Sequence, residues 1–187
     1  MLKRFSRWTI VIAPIFGVIV GHIMLTYSSQ LYNKKINSSW KTSFKIDKEE
    51  ESVLEKAVRT KIGVYALPNK EITYFIASND EKGNLLQSAN NYKISGIAPT
   101  SKNWSITIYD ENYYLVPNAI EKYHFNGTSL NVKEGEPYTF TISKKRTSGN
   151  WLPSPNQGRF VLCYRIYLPP FSDLESQSFN LPHITKL

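Results

Sequence analysis

One cysteine, Cys163, stands among 187 residues, which excludes an intrachain disulfide. The chain also lacks the short motifs that announce common chemistries. There is no Gly-x-Ser-x-Gly elbow, no His-Glu-x-x-His pair, no Cys-x-x-Cys and no phosphate-cradling glycine loop. The turn at Asn79–Asn84 lacks the ligand spacing of a calcium loop. Acidic residues are scarce, with 15 Asp and Glu against 23 Lys and Arg, and no acid precedes Asp47. The excess of +8 is spread along the chain without a basic stripe, so composition does not support nucleic-acid binding.

What is present begins with an apolar run from Trp8 to Leu25, interrupted only by Thr9 and His22 and preceded by Lys3, Arg4 and Arg7. As a helix of roughly 18 residues it rises about 27 Å, close to a hydrocarbon core of about 30 Å. Residues 1–27 are therefore expected to form a single transmembrane anchor with its N-terminus in the cytoplasm. A cleaved signal peptide is the rival reading. The run is longer than a typical signal core, and Thr26-Tyr27-Ser28 offers no small-x-small cleavage pattern. Removal of the three leading cations leaves 20 cations against 15 anions in the remainder, a basic excess that suits a position next to anionic lipid.

Residues 28–44 read as a polar juxtamembrane linker and 45–187 as one domain. Asp47 and Glu50 form a capping-box pattern, and Val53, Leu54, Ala57, Val58, Ile62 and Tyr65 recur at helical spacing up to Pro68. This predicts one amphipathic helix. From Glu71 the period changes to two. Strands are expected at 72–77, 92–97, 104–109, 123–125, 129–132, 138–143 and 159–168, with turn residues between nearly all of them. The fold class is mainly β: an antiparallel β-sandwich or jelly-roll-like domain with one N-terminal amphipathic helix, preceded by the transmembrane helix.

Several blocks follow one another in a specific order: Tyr65-Ala66-Leu67-Pro68 with Ile72-Thr73-Tyr74-Phe75; Tyr92-Lys93-Ile94-Ser95-Gly96; Trp104 to Asp110; Leu115-Val116-Pro117-Asn118 before Tyr123; Gly149-Asn150-Trp151-Leu152-Pro153; and Gly158 to Leu162 through Arg165-Ile166-Tyr167. In this order the chain resembles the domain of unknown function 1214 family, from about Trp40 onward. The resemblance implies a β-sandwich-like domain of the short, membrane-anchored bacterial type, with the domain in the periplasm and the anchor in the inner membrane. It implies no reaction, cofactor or catalytic residue. His124 and Cys163 depart from the family pattern, which has Ser and a small polar residue at those places.

The strand from Arg159 places Phe160, Leu162, Tyr164, Ile166 and Leu168 on one face and Arg159, Val161, Cys163, Arg165 and Tyr167 on the other. Arg165 either offers its fork to a carboxylate or phosphate or pairs with a neighbouring acid such as Asp110 under Tyr167. Trp104, Tyr109, Tyr113, Tyr114, Trp151 and Tyr167 make the chain aromatic-rich, as either core or a stacking platform. The candidate ligand-binding residues are Trp104, Tyr109, Asn150, Trp151, Arg165 and Tyr167. No catalytic set, metal set or cofactor is expected. Cys163 lacks an evident His partner, and adjacent Asp110 and Glu111 point to opposite faces. The leading expectation is a tethered, non-enzymatic module that binds a small periplasmic ligand or an envelope protein. The alternatives are an esterase-like hydrolase built from Asp110, Arg165 and nearby hydroxyls, and a purely structural envelope-assembly module.

Overall fold

The computed structural model describes residues 7–31, 34–35, 39–42, 53, 57, 67, 70–101, 103–170, 172–173 and 179–187. The amphipathic helix expected from Asp47 to Tyr65 lies outside the described residues, apart from Val53 and Ala57.

The first element is helix α1, Arg7–Leu31. Within it Thr9–Tyr27 is long and apolar enough to cross a membrane, and none of that stretch is buried against the rest of the chain. Its side chains have no polar face to present to a protein core, which is the pattern of a helix surrounded by an apolar medium or held outside the fold.

Among the described residues ten strands follow: β1 (Lys34–Lys35), β2 (Trp40–Thr42), β3 (Ile72–Ala77), β4 (Tyr92–Ile97), β5 (Asn103–Asp110), β6 (His124–Asn126), β7 (Pro137–Ser143), β8 (Trp151–Pro153), β9 (Phe160–Tyr167) and β10 (His183–Lys186). One sheet has the order β1-β2-β3-β9-β5-β6 and the other β10-β4-β7-β8. The longer strands turn alternate side chains inward, and the inward sets meet in one core. The first sheet supplies Trp40, Phe75, Ala77, Trp104, Ile106, Ile108, Leu162, Tyr164 and Ile166; the second supplies Tyr92, Ile94, Tyr138, Phe140, Ile142, Leu152 and Ile184. Each aliphatic side chain buried this way stabilises the fold by roughly 1.5–3 kcal/mol. Trp40 also ties the two sheets, since its indole donates to the Pro182 carbonyl at 2.6 Å.

Gly96 shows why one position in β4 has no side chain. A Cβ there would lie 2.9 Å from Tyr138 Oη. The Tyr138 ring lies over that glycine and stacks against Trp104 at 4.7 Å between centroids.

The structure alters four expectations. Trp40–Thr42, assigned to the linker from sequence, pairs with β3 and belongs to the sheet. Residues 129–132, expected as a strand, lie at helix α2 (Gly127–Leu130) and its C-terminus. There the Asn126 side chain accepts from Ser129 N and the Ser129 hydroxyl accepts from Asn126 N, a reciprocal cap that turns the chain into a helical turn. Asn131 ends it in the left-handed conformation, φ 53°. The short strands β8 and β10 had no independent periodic signal. Finally, β8 runs parallel to β7, with Thr141 beside Trp151, so the second sheet is mixed rather than wholly antiparallel. A parallel neighbour normally needs a crossover of a dozen or more residues. Here the loop between Ser143 and Trp151 suffices because only three residues pair.

Candidate functional site

The six sequence candidates do not converge. Trp104 is core, 5% exposed, between Tyr138 and Tyr164, whose ring centroids are 4.7 and 6.0 Å away. Trp151 belongs to the outer side of the four-stranded sheet, because Leu152 next to it points into the core and Trp151 pairs with outward Thr141; Asn150 is exposed just before β8. Both brace the β7–β8 loop. The Trp151 indole donates to Ser143 O and Ser143 Oγ at 3.0 Å each, and the Asn150 carbonyl accepts from Thr141 N at 2.8 Å.

Tyr109, Arg165 and Tyr167 lie on the opposite exterior of the sandwich, the outer face of the six-stranded sheet. Tyr164 and Ile166 face the core, so Arg165 must face away from it. Around it sits a second apolar cluster of Ile72, Tyr74 and Cys163, with Ile76 and Tyr109 against it. Cross-strand register explains the assembly. Arg165 stands opposite Tyr74 on β3 and Ser105 on β5. Its long side chain runs along the face to reach residues two and four places further along β5. The guanidinium donates to Thr107 Oγ1 at 3.1 Å and to Tyr109 Oη at 2.8 Å. Its carbon lies 5.7 Å from the Tyr74 ring centroid and 5.5 Å from that of Tyr109, within cation–π range.

The expected partner acid is not there. Asp110 Oδ1 accepts instead from Asn112 N at 2.8 Å and Tyr114 N at 2.9 Å, closing its own turn. Glu111 pairs with Arg159 at 2.9 Å. Among the described residues no carboxylate contacts Arg165. An arginine has five N–H donors and no acceptor. Two neutral hydroxyls occupy two of these donors, and each hydroxyl, having accepted, keeps a proton to give. The cluster is therefore a set of donors carrying one positive charge. Burial works against that charge, but neighbouring Cys163, Tyr109 and Tyr167 more than offset it and hold the arginine above its usual pKa.

Cys163 is 2% exposed. Burial pushes its thiol up to about 11, against a smaller downward pull from Arg165. It is thus a neutral thiol at pH 7, not a nucleophile. His124 stands two strands away, beyond Thr107 in the same cross-strand row, about 10 Å at ordinary strand spacing. Among the described residues no three His, Cys, Asp or Glu side chains come together as metal ligands.

Sequence reasoning missed Tyr74 and Thr107 as parts of this cluster and did not place Tyr113 in it. Period-two alternation marks Tyr74 and Thr107 as outward-facing, but only strand order brings β3, β9 and β5 side by side. Tyr113 sits in the left-handed region, φ 68°, held there by the Asp110 turn. Burial, and then proximity to Cys163, raise its phenol pKa.

The fold is similar to solved structures. The crystal structure of the VPA0106 protein from Vibrio parahaemolyticus matches with a TM-score of 0.64 at 18% identity, over 100% of this chain and 47% of that one. An uncharacterised protein from Burkholderia cenocepacia matches with a TM-score of 0.48 at 14% identity, over 71% of this chain and 33% of that one. The chain thus spans about half the length of the first of these structures or less of the second, and the first likeness is one of fold alone. No curated protein matches the sequence. The model of the family described as "Protein of unknown function (DUF1214)" matches residues 71–171, which run from the start of β3 past the end of β9 and so include every residue of the Arg165 cluster; the chain belongs to that family.

Proposed function

We propose that this protein is a membrane-tethered binding module. In this reading α1 spans the bacterial inner membrane once, the N-terminus is cytoplasmic, and the β-sandwich lies in the periplasm. The outer face of the six-stranded sheet takes a small anionic ligand, a carboxylate or phosphate, at Arg165. One observation carries the reading: a half-buried guanidinium held by two neutral hydroxyls between two tyrosine rings, with no acid among the described residues to neutralise it. A half-buried arginine with only two of its five N–H donors filled leaves the others open, and a planar anion would satisfy them in pairs. Cations before α1 and none of the opposite sign support the orientation.

The test is calorimetry on the full chain in detergent with a panel of carboxylates and phosphate monoesters, beside Arg165→Ala and Arg165→Lys. Charge-assisted hydrogen bonds are worth about 1.5–3 kcal/mol, so Arg165→Ala is expected to weaken binding about tenfold to a hundredfold. Arg165→Lys, which keeps charge but loses the fork, should restore only part of it. Anion binding that is equal in Arg165→Ala and the unaltered chain would refute the assignment. Retention of the full chain in the membrane fraction after carbonate washing tests the tether.

A further inference from the structure

The Arg165 face leaves one basic region unexplained. Between β5 and β6 the chain makes an excursion, and three of its apolar side chains point into solvent: Tyr114 is 71% exposed, Ile120 52% and Leu115 49%. The excursion is not loose. The Asn118 amide donates to Val116 O and Lys122 O at 3.2 and 3.0 Å and accepts from Lys122 N at 3.1 Å. That staple fixes Lys122, whose ammonium sits 3.8 Å from the centre of the Phe125 ring.

The β7–β8 loop brings Lys144, Lys145 and Arg146, all exposed. This loop is braced as well, because Ser143 Oγ donates to Lys145 O at 2.7 Å and the Trp151 indole locks Ser143. The two segments lie at one end of the sandwich, because the Phe125 ring beneath Lys122 packs on Phe140 of β7 at 4.8 Å between centroids. Partial burial, and after it the charge of Arg146, lower the Lys122 pKa. Among the described residues none of these four cations pairs with a carboxylate, and the ion pairs that do form there are Arg159–Glu111 and His183–Glu81. Glu121 is the acid nearest in sequence; it is exposed and bonds to neither Lys122 nor Arg146. Mutually repelling cations held in place on braced loops, beside exposed apolar side chains, form the pattern of an interfacial surface that meets anionic lipid.

We infer that this end of the sandwich, which carries the β5–β6 excursion and the β7–β8 loop, docks on the surface of the bilayer that anchors the chain, through anionic phospholipid headgroups. The inference rests on the reading of α1 as a membrane span. Tethering supplies a high effective concentration of lipid, so four cations and a few apolar side chains suffice. Docking would fix the sandwich's orientation on the membrane.

The experiment uses the full chain in nanodiscs of phosphatidylcholine, with and without phosphatidylglycerol. A nitroxide is placed at exposed Ser148→Cys, with Cys163 buried and unlabelled, and a relaxant is attached to the lipid headgroups. Relaxation of the label should be strong in anionic discs and weak in neutral ones. Combined Lys144→Gln, Lys145→Gln and Arg146→Gln should lower the docked-to-undocked ratio about fivefold per cation removed. Salt should do the same to the unaltered chain, since screening shortens the Debye length from about 8 Å at 0.15 M to about 3 Å at 1 M. Equal relaxation in neutral and anionic discs, or insensitivity to salt, overturns the inference. The salt arm requires no substitution and so stands even if the triple variant unfolds. A chain that carbonate strips from the discs overturns tether and docking together, whereas an inserted chain without lipid contact overturns docking alone.

Discussion

The two exteriors of this sandwich are built from the same kind of strand and do opposite things. On the four-stranded sheet β4 alternates cleanly at its start, with Tyr92 and Ile94 buried and Lys93 exposed between them. Thr139 is exposed and Thr141 half-buried on the outer side of β7, as in a sheet with one wet face, while Ser143 at the strand's end is covered where it meets the Trp151 indole. On the six-stranded sheet, β3 and β9 are buried on both sides: Ile72 and Tyr74 are nearly as inaccessible as Thr73 and Phe75, and Cys163 nearly as inaccessible as Leu162 and Tyr164. The lesson is that a strand central to a sheet and buried on both faces can still carry a charge. It does so where neighbouring strands provide hydroxyls and aromatic faces to surround that charge.

This contrast can be broken by experiment. The largest effect should come from truncating an outward aromatic. Tyr74→Ala is expected to cost about 3 kcal/mol in chemical denaturation, as for a core aromatic, while Thr139→Ala on the other exterior stays within about 0.5 kcal/mol. Equal losses would erase the distinction between the two faces. Next is the pH dependence. The Cys163 thiol is raised from 9.0 to about 11 in the folded chain, so the native state holds its proton longer than the unfolded one. Its contribution is fully present below pH 9 and is lost as pH rises to about 11. The loss amounts to about 2–3 kcal/mol by linkage, and Cys163→Ala should flatten that part of the curve. Alkylation of the native thiol should correspondingly stay slow at pH 7 and accelerate only in that alkaline range. A smaller effect is expected from Asn126→Ala, which removes the reciprocal cap of α2 and should cost about 1 kcal/mol by thermal melting. The smallest is Lys93→Ala, exposed on the wet face, with no measurable shift in melting midpoint.

Much of this arrangement could be read from residues alone because it depends on local periodicity. The division of Arg159–Leu168 into a core face and an Arg165 face followed from alternation and holds for Phe160–Tyr167, but Leu168, assigned to the core face, lies past the end of β9 and is 58% exposed. So did the inward set Trp104, Ile106 and Ile108. Their assembly could not be read in the same way. Trp104 and Tyr109 occur on one strand but opposite faces, so a platform using both required a geometry that the pleat forbids. Trp151 is a ligand-binding candidate from sequence as one of the chain's many aromatics. Its indole is instead spent on Ser143, a contact that no spacing rule encodes.

The family blocks likewise named a fold without naming a site, although the blocks at Ile72–Phe75, Trp104–Asp110 and Arg165–Tyr167 hold the residues that meet around Arg165. Arg165 was singled out for its fork, yet its surroundings were misassigned: Asp110 seemed the natural partner and turned out to close its own turn. Short elements were the other blind spot. Three or four residues in β2, β8 or β10 contain too little pattern to distinguish a strand from a connection, and only pairing with a neighbour defines them.

The sequence by itself determined the long apolar N-terminal helix, the β-rich class and which side chains of each long strand turn inward, because these depend on hydrophobic length and on a period of two within single segments. Only the tertiary structure decided which strands became neighbours, and hence that Tyr74, Thr107 and Tyr109 surround Arg165 while Trp151 faces away on the far side. The physical reason is that strand order and register are set by non-local pairing and core closure, which no window along the chain contains.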